Sequence, residues 1–406
     1  MSDETYERGF FGPLYELIKD QNITDIDASE GVIFTTDKDM NRKRIDESRL
    51  DNDFLSGFSM RVANTVSLPF NKESPVLEAD TDTLRITIVH PSVSQGGLAL
   101  SIRRSLPKTR MSEETMIKNG YATKNVISLM KDCVRAHLNM VFIGEPGAGK
   151  TECAKFFSTF IPKDERVITI EDNPEWHYKS LSPGHDCVEL RVGNRLDHSA
   201  AIKVSMRLNP KWMMLSEARG REVKRLLEGF STGVRGMTTL HADDIRKIPD
   251  RMLNMAGEVP DENRFINNVY EFIDVGILIK KKLINGVLRR TIDEVGFFER
   301  CDGKNNLSIV FEDGNFTGEA MPQGISKKIC EACGAEPSWI KKCENGDDSF
   351  SFATDRILLS TAENDSLSPV VSAWRMDDIG KRMSTLKTKG RGSSGNVIKT
   401  KAGLVG

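Results

Sequence analysis

Residues 144–151 read GEPGAGKT and directly follow the apolar run 140–143. They complete the pattern G-x-x-x-x-G-K-[ST], a loop whose glycines let backbone N–H groups surround phosphates at a helix N-terminus. In this pattern the lysine adds a positive charge near the β and γ phosphates, and the threonine hydroxyl suits Mg²⁺. The sequence therefore predicts a site for ATP and Mg²⁺. The residues predicted to hold the nucleotide are Gly144, Glu145, Pro146, Gly147, Ala148, Gly149, Lys150 and Thr151.

Three further apolar runs end in polar residues. The run 167–170 is followed by Glu171-Asp-Asn-Pro-Glu175, the run 212–215 by Ser216-Glu217, and the run 236–240 by His241. Ligands bind at the carboxyl ends of strands in open α/β sheets, so these groups are candidates to polarise water, hold Mg²⁺ and sense the γ-phosphate. The alternatives are a solvated turn or helix cap for the acids and a structural role for the histidine.

The apolar runs indicate how the chain is divided. Five of them alternate with helical patterns, which is typical of a parallel sheet covered by helices. We predict an α/β protein with an N-terminal α/β domain (1–107), a linker (108–125) and a phosphate-loop α/β domain with a mostly parallel sheet (126–300). A loop-rich C-terminal appendage (301–378) and a basic disordered tail (379–406) follow. That tail has seven Lys or Arg and no Asp or Glu.

The amino-acid composition limits which partners, cellular location and cysteine chemistry are expected. The 406 residues include 57 Lys plus Arg against 59 Asp plus Glu, so no overall field favours nucleic acid or a membrane surface. The N-terminus MSDETYERGF is acidic and no apolar run approaches bilayer length, which predicts a cytoplasmic protein. Seven cysteines indicate reduced thiols. Cys330, Cys333 and Cys343, with Cys301 as a fourth ligand, are an incomplete candidate zinc site, and a pair of reduced thiols is the alternative.

The order GEPGAGKT, ITIEDNPE, RLNPKWMMLSEARG and GMTTLHA resembles the secretion-motor ATPases of type II and type IV secretion systems and type IV pili. The resemblance covers about residues 10 to 300. The family's Walker A, acidic, Walker B and histidine boxes fall on 144–151, 171–175, 213–217 and 229–241. The chain is most similar to the type IV secretion (conjugation) and tight-adherence pilus branch, because Gly220 stands where the others carry Asp and the AIRNLIRE motif is absent.

The resemblance implies that residues 126–300 form a RecA-like ATPase domain. It also implies a hexameric ATPase that uses ATP and Mg²⁺ to drive export of protein or DNA substrates or pilus assembly. It implies that Glu217 or Glu171 orients water, that Arg219 stabilises phosphoryl charge, and that Arg85 and Arg103 of the N-terminal domain reach the phosphates. Thr151 and Glu217 are the Mg²⁺ candidates, directly or through water. The implied partners are other secretion or pilus components at the inner face of the cytoplasmic membrane. Nucleic acid is not expected to bind the core.

Three departures from the family pattern keep other functions open. Ala148 replaces a usual Ser, Ser216 replaces the Gly before the Walker B glutamate, and Asn173 stands where Thr or Pro is common. If Ser216 makes hydrolysis slow, the protein would be a nucleotide-gated scaffold, in which bound nucleotide only switches assembly. A nucleic-acid translocase is the other alternative, which the basic tail favours and the balanced charge disfavours.

Overall fold

The structure is a computed structural model that describes residues 3–38, 40–46, 49–81, 83–193, 195–284 and 287–333. Two β-sheets organise these residues, one of six strands and one of nine. The smaller sheet is formed by the first part of the chain and the larger by the second. The predicted candidate zinc ligand Cys343 and the basic tail 379–406 lie outside the described residues.

The N-terminal part is an antiparallel sheet covered on one face by helices. Its strands lie in the order β3-β2-β1-β6-β5-β4. Its elements are α1 (Asp3–Phe11), α2 (Leu14–Lys19), β1 (Ile23–Ser29), β2 (Val32–Asp37), β3 (Arg42–Ile45), α3 (Asn52–Val66), β4 (Val76–Asp80), β5 (Leu84–Val89) and β6 (Ala99–Arg104).

Alternation along these strands produces one apolar face and one polar face. In β5, Leu84, Ile86 and Ile88 are buried, and they pack in one core with Leu55 and Phe58 of α3. The intervening polar residues point to the opposite face because successive side chains of a strand alternate. Arg85 of β5 is therefore directed away from this core, and its partner in the ladder is Arg103 of β6.

The second part is a mostly parallel sheet between two helical layers. Its strand order is β15-β14-β13-β12-β7-β11-β10-β8-β9, and the pairs from β12 to β9 are parallel. Its elements are α4 (Glu113–Lys118), α5 (Lys124–Arg135), β7 (Met140–Ile143), α6 (Lys150–Ser158), β8 (Val167–Glu171), α7 (Tyr178–Leu181), β9 (Cys187–Arg191), α8 (His198–Met206), β10 (Trp212–Leu215), α9 (Glu222–Ser231), β11 (Arg235–Leu240), a 3₁₀ turn (Ile245–Lys247), α10 (Ile248–Ala256), α11 (Glu262–Phe272), β12 (Val275–Ile284), β13 (Val287–Cys301), β14 (Lys304–Glu312), β15 (Asn315–Phe316) and α12 (Gln323–Cys333).

The central strands β7, β10 and β8 are buried along their whole length. This explains why they read as continuous apolar runs, since a parallel sheet is covered on both faces. Met214 and Phe142 pack in the layer that contains α5, α6 and α12. Leu215 and Ile143 pack in the opposite layer with α8, α9, α10 and α11. The fold class predicted from the sequence is confirmed.

The connection between the two sheets is more ordered than the predicted linker 108–125. It contains α4, whose N-terminus is closed by a capping box in which Ser112 and Thr115 exchange hydrogen bonds. Lys155 Nζ of α6 donates to the Leu106 carbonyl at 3.2 Å, and the Arg110 N–H donates to Glu152 at 3.2 Å. These contacts attach the connection to the helix that follows the phosphate loop.

The loop-rich interpretation of the residues after 300 needs correction for the part that the structure describes. Strand β13 continues to Cys301, turns through Asp302 and Gly303, and returns as β14. Both turn residues have positive φ, 52° and 76°, as a tight two-residue hairpin requires. The first half of β14 is exposed and polar, so the sequence lacks the apolar alternation that marks a strand. No helix among the described residues is both long and apolar enough to cross a membrane.

Candidate nucleotide site

The phosphate loop leaves β7 at the carboxyl edge of the large sheet and enters α6 at Lys150. Gly149 caps α6 with φ +93°, and Gly147 has φ +71°, conformations that favour glycine. A Cβ at Gly144 would overlap the Ile279 carbonyl oxygen of β12. The glycines are therefore required by backbone geometry, and the loop ends at a helix N-terminus where N–H groups favour an anion.

Lys150 is buried at this loop, with 7% of its surface exposed. Its Nζ donates to the carbonyls of Gly144 at 3.0 Å and Glu145 at 3.2 Å, and to His241 Nδ1 at 3.2 Å. Burial lowers the pKa of Lys150, and the nearby carboxylates Glu217 and Glu175 oppose that shift. Among the described residues no carboxylate lies within 4 Å of Nζ, so this cation is available for an anionic ligand.

His241 connects Lys150 to Glu217. An ammonium group only donates, so Nδ1 must accept from Lys150, and the proton then lies on Nε2. Nε2 is 2.9 Å from Glu217 Oε1. The Lys150 contact thus selects the Nε2–H form of the ring, and Nε2 lies against the carboxylate.

The other oxygen of Glu217 accepts from Arg219, at 2.6 Å. Arg219 also donates to Asp172, at 2.8 Å, and these carboxylates raise the pKa of the guanidinium. These contacts form one continuous chain, which runs through Lys150, His241, Glu217, Arg219 and Asp172. This chain connects groups that follow β7, β11, β10 and β8.

Glu171 lies apart from this chain. Its side chain is buried and accepts from the N–H groups of Trp176 at 2.8 Å and Glu175 at 3.2 Å. Burial raises the pKa of Glu171 to about 8, despite those two donors. The Glu171 carboxyl group therefore holds the backbone of the acidic segment that follows it. The residue in contact with His241 is Glu217 and not Glu171.

Glu175 was not among the predicted site residues, although it lies in the predicted acidic segment. Its carboxylate lies near the Thr151 hydroxyl, which opposes the rise of its pKa. Burial raises the pKa of Glu175, whereas Arg103 and Arg85 oppose that shift, so both arginines of the small sheet lie near it. Arg103 also donates to Asp25 at 2.7 Å. The predicted arginines thus face the edge of the large sheet that carries the phosphate loop.

Sequence reasoning also missed Lys281 and Arg290. They are paired across the β12–β13 hairpin, which extends beyond the sheet beside the phosphate loop. Lys281 donates to the Pro146 carbonyl at 2.8 Å, and Arg290 donates to the Gly147 carbonyl at 3.1 Å. A basic residue in a long hairpin has no distinctive sequence signal, because charged residues are usual on exposed strands.

Comparison with known protein families shows which family the chain belongs to. Residues 76–302, more than half of the chain, match the family described as Type II/IV secretion system protein. The chain belongs to this family. The matched range begins at β4 and ends just after β13, so it includes Arg85, Arg103 and all four polar strand ends.

Two curated relatives illustrate the range of the Type II/IV secretion family. An uncharacterized protein of Bacillus anthracis is 28% identical over 289 residues, which are 70% of this chain and 64% of that protein. The type IV secretion system protein VirB11 of Bartonella quintana is 23% identical over 342 residues, 74% of this chain and 91% of that one. The chain thus spans less than two thirds of the first relative and most of the second.

Solved structures of two ATPases share the fold. The DotB ATPase of Legionella pneumophila is 16% identical, with a TM-score of 0.53 over 94% of this chain and 96% of that one. The DotB ATPase of Yersinia pseudotuberculosis is 13% identical, with a TM-score of 0.55 over 93% of each chain. The predicted resemblance to the type II/IV secretion superfamily is confirmed, and so is the α/β fold.

The predicted zinc site involves cysteines near the end of the described residues. Cys330 and Cys333 lie in α12, half-buried, and Cys301 is exposed at the end of β13. Within residues 3–333, apart from the short gaps, no three His, Cys, Asp or Glu side chains are grouped closely enough to hold a metal ion. Cys343 lies beyond these residues, and the zinc hypothesis stays a prediction.

Proposed function

We propose that this member of the secretion family is an ATP-hydrolysing motor that powers export or pilus assembly. The observation that supports the proposal best is the chain of polar contacts from Lys150 through His241 to Glu217 and Arg219. It joins a phosphate-binding lysine to a carboxylate suited to orient water. A guanidinium suited to stabilise phosphoryl charge completes it.

The residues of the site fit Mg-ATP. The glycine loop leads into the N-terminus of α6, and Lys150 has no carboxylate partner there among the described residues. Thr151 and Glu217 are the groups that would hold the ion, with Glu175 beside Thr151. The ion would neutralise phosphate charge during phosphoryl transfer.

His241 fixes how Glu217 is used. Its Nε2 contacts Oε1 at 2.9 Å, and Arg219 donates to Oε2, so the two side chains together orient the carboxylate. A bound γ-phosphate would compete with His241 for the Lys150 ammonium, since both require its protons. The histidine thereby links occupancy of the phosphate site to the orientation of Glu217.

Contacts between the two sheets support a mechanical role. Arg191 of β9 forms an ion pair with Asp80 of β4, and the Ser105 hydroxyl donates to the Pro174 carbonyl at 2.7 Å. Pro174 belongs to the same acidic segment as Glu175, which lies near Arg85 and Arg103. Nucleotide binding between these elements would change how the small sheet rests on the large one.

We infer the remaining features from the family. The motor is a homohexamer, works with other secretion or pilus components, and lies at the inner face of the cytoplasmic membrane. The curated relatives include a type IV secretion system protein, and both compared structures are ATPases. The basic tail 379–406, outside the described residues, remains a predicted contact with that membrane face.

The substitution Glu217→Gln tests the enzymatic proposal. It removes the carboxylate charge but keeps the size of the side chain, so ATP affinity stays within about twofold while turnover falls about a hundredfold. ATP affinity and phosphate release are measured on the full chain. Glu228→Gln, in the exposed ion pair with Arg225 on α9, is the control and keeps wild-type turnover.

The same measurements separate the alternatives. ATP binding by the wild-type chain with negligible phosphate release would support a nucleotide-gated scaffold and contradict the motor. Equal turnover of wild type and Glu217→Gln would transfer the water-orienting role away from Glu217. Turnover that rises with DNA and loses this stimulation at high salt would favour a translocase.

A further inference from the structure

One buried hydroxyl at the site lacks a partner. Ser216 immediately precedes Glu217 and is 5% exposed. Its Oγ has no hydrogen-bond partner among the described residues. Buried polar atoms are satisfied in the great majority of cases, so an orphaned hydroxyl beside a candidate active site indicates a missing ligand.

Backbone contacts extend the strand geometry of β10 to Ser216. Its N–H donates to the Ile170 carbonyl of β8 at 3.0 Å, and its carbonyl accepts from Thr239 Oγ1 of β11 at 2.8 Å. Ser216 is therefore held between the two neighbouring strands, at the carboxyl edge of the sheet.

Alternation along the strand gives the direction of the hydroxyl. Met213 and Leu215 pack in the layer opposite α6. Met214 packs in the α6 layer, together with Ala148 of the phosphate loop and Ala154 of α6. Because successive side chains alternate, Ser216 points to the α6 layer. At the carboxyl edge that layer begins with Lys150 and Thr151.

We propose that the Ser216 hydroxyl contacts the hydrated Mg²⁺ ion that accompanies bound nucleotide, through a metal-bound water. This inference rests on the proposed function, because it requires that the loop binds Mg-nucleotide. Hard oxygen groups suit magnesium, which retains several waters when bound to protein and phosphate. Ser216 is then a contact specific to this chain, since the family pattern has glycine at the position and offers no side chain there.

The structure provides a matched control in Thr169. This residue of β8 is fully buried, its Oγ1 also lacks a partner among the described residues, and it lies opposite Met214 in the ladder. It is therefore on the same face of the sheet as Ser216, but within the strand and not at its carboxyl end. Thr169→Val removes an orphaned hydroxyl without touching the site.

The test compares ADP affinity of the full chain in excess EDTA with the affinity at saturating MgCl₂, using a fluorescent ADP. The ratio of the two dissociation constants is the magnesium enhancement. We expect Ser216→Ala to lower this enhancement about threefold to tenfold, the range of one hydrogen bond, and to leave the affinity in EDTA unchanged. Thr169→Val keeps the wild-type enhancement, and Ser216→Thr, which retains a hydroxyl, keeps most of it.

The outcomes separate this inference from the proposed function. If Ser216→Ala shows the same magnesium enhancement of ADP affinity as wild type, the proposed contact between Ser216 and hydrated magnesium is wrong, but the nucleotide site is not. A wild-type chain that binds no ADP under either condition would overturn the nucleotide site itself. Thermal unfolding in EDTA checks folding, and we expect Ser216→Ala to match or exceed wild type because it removes an unpaired polar atom. If that variant does not fold, Ser216→Gly removes the same hydroxyl and is subject to the same criterion.

Discussion

The two candidate water-orienting glutamates differ in what surrounds their carboxyl groups. Glu217 shares its oxygens between His241 and Arg219, and 19% of its side chain is exposed at the sheet edge. Glu171 is enclosed by the backbone of the acidic segment. A residue that must act on a bound ligand needs access to it, so we propose that Glu217 has the reactive role and Glu171 a structural one.

Glu171 makes the stability of the fold depend on pH. Its pKa is raised by burial from 4.5 to about 8, so the folded state holds a proton that the unfolded chain releases between these values. Stability from this group is complete below about pH 4.5 and is lost as pH rises through about 8. Glu171→Gln keeps the oxygen that accepts from Trp176 and removes the titration.

We therefore expect wild type to lose stability relative to Glu171→Gln as pH rises from about 5 to about 8. Thermal unfolding midpoints of both proteins across this range measure the difference. Because other titrating groups are common to both proteins, the comparison isolates Glu171. Parallel pH profiles would show that its carboxyl group is ionised in the folded state throughout.

At this scale the sequence located the phosphate loop and the polar groups at the ends of the strands. Their signal is local, because a fixed spacing follows an apolar run. It left Glu171 and Glu217 equivalent, because each is an acid after a buried strand. Only the fold of the following loop distinguishes them, and the backbone donors at Glu175 and Trp176 have no sequence signature.

Among the elements, the β12–β13 hairpin supports the phosphate loop from outside. Lys281 and Arg290 each donate to a loop carbonyl. Holding these carbonyls outward favours a loop in which N–H groups turn toward the phosphate. Lys281 is also close enough to contribute to lowering the pKa of Lys150.

We expect Lys281→Ala and Arg290→Ala each to weaken ATP binding by about tenfold, the effect of losing one charged hydrogen bond that orders the loop. Arg289→Ala is the matched control, since Arg289 is on the same hairpin but donates to the Asn119 carbonyl. Equilibrium binding of a fluorescent ATP analogue measures all three. Affinities within twofold of wild type for both Lys281→Ala and Arg290→Ala would exclude a role for the hairpin.

The sequence predicted some strands of the large sheet and missed others, and the reason is physical. Buried parallel strands such as β7, β8 and β10 read as short apolar runs and were found. Strand β9 has no fully buried residue, and β14 is buried only in its second half, so neither has the apolar signal of the central strands. Strand pairing across the sheet, a non-local property, decided their structure.

For the whole molecule, the small sheet lies beside the carboxyl edge of the large one. Arg85 and Arg103 are ladder partners on the polar face of that sheet, and both lie near Glu175 of the large one. The sequence alone related them to the site only through family resemblance. Their proximity arises from packing between residues far apart in the chain.

We expect Arg85→Ala and Arg103→Ala to lower ATP turnover about tenfold or more, because each guanidinium offers several fixed donors to phosphate oxygens. Arg8→Ala, in an exposed ion pair with Glu16 on the helical side of the small sheet, is the control. Phosphate release and ATP affinity are measured for each variant. If both quantities stay at wild-type values in both variants, the small sheet does not contribute to the nucleotide site.

The central claim is that the Lys150 site hydrolyses ATP, and steady-state phosphate release from Mg-ATP tests it most directly. We expect measurable release by the wild-type chain, none above background for Lys150→Ala, and wild-type release for Lys163→Ala, which changes an exposed lysine beyond α6. Circular dichroism confirms that each variant is folded. Phosphate release by folded Lys150→Ala at the wild-type rate would contradict the account.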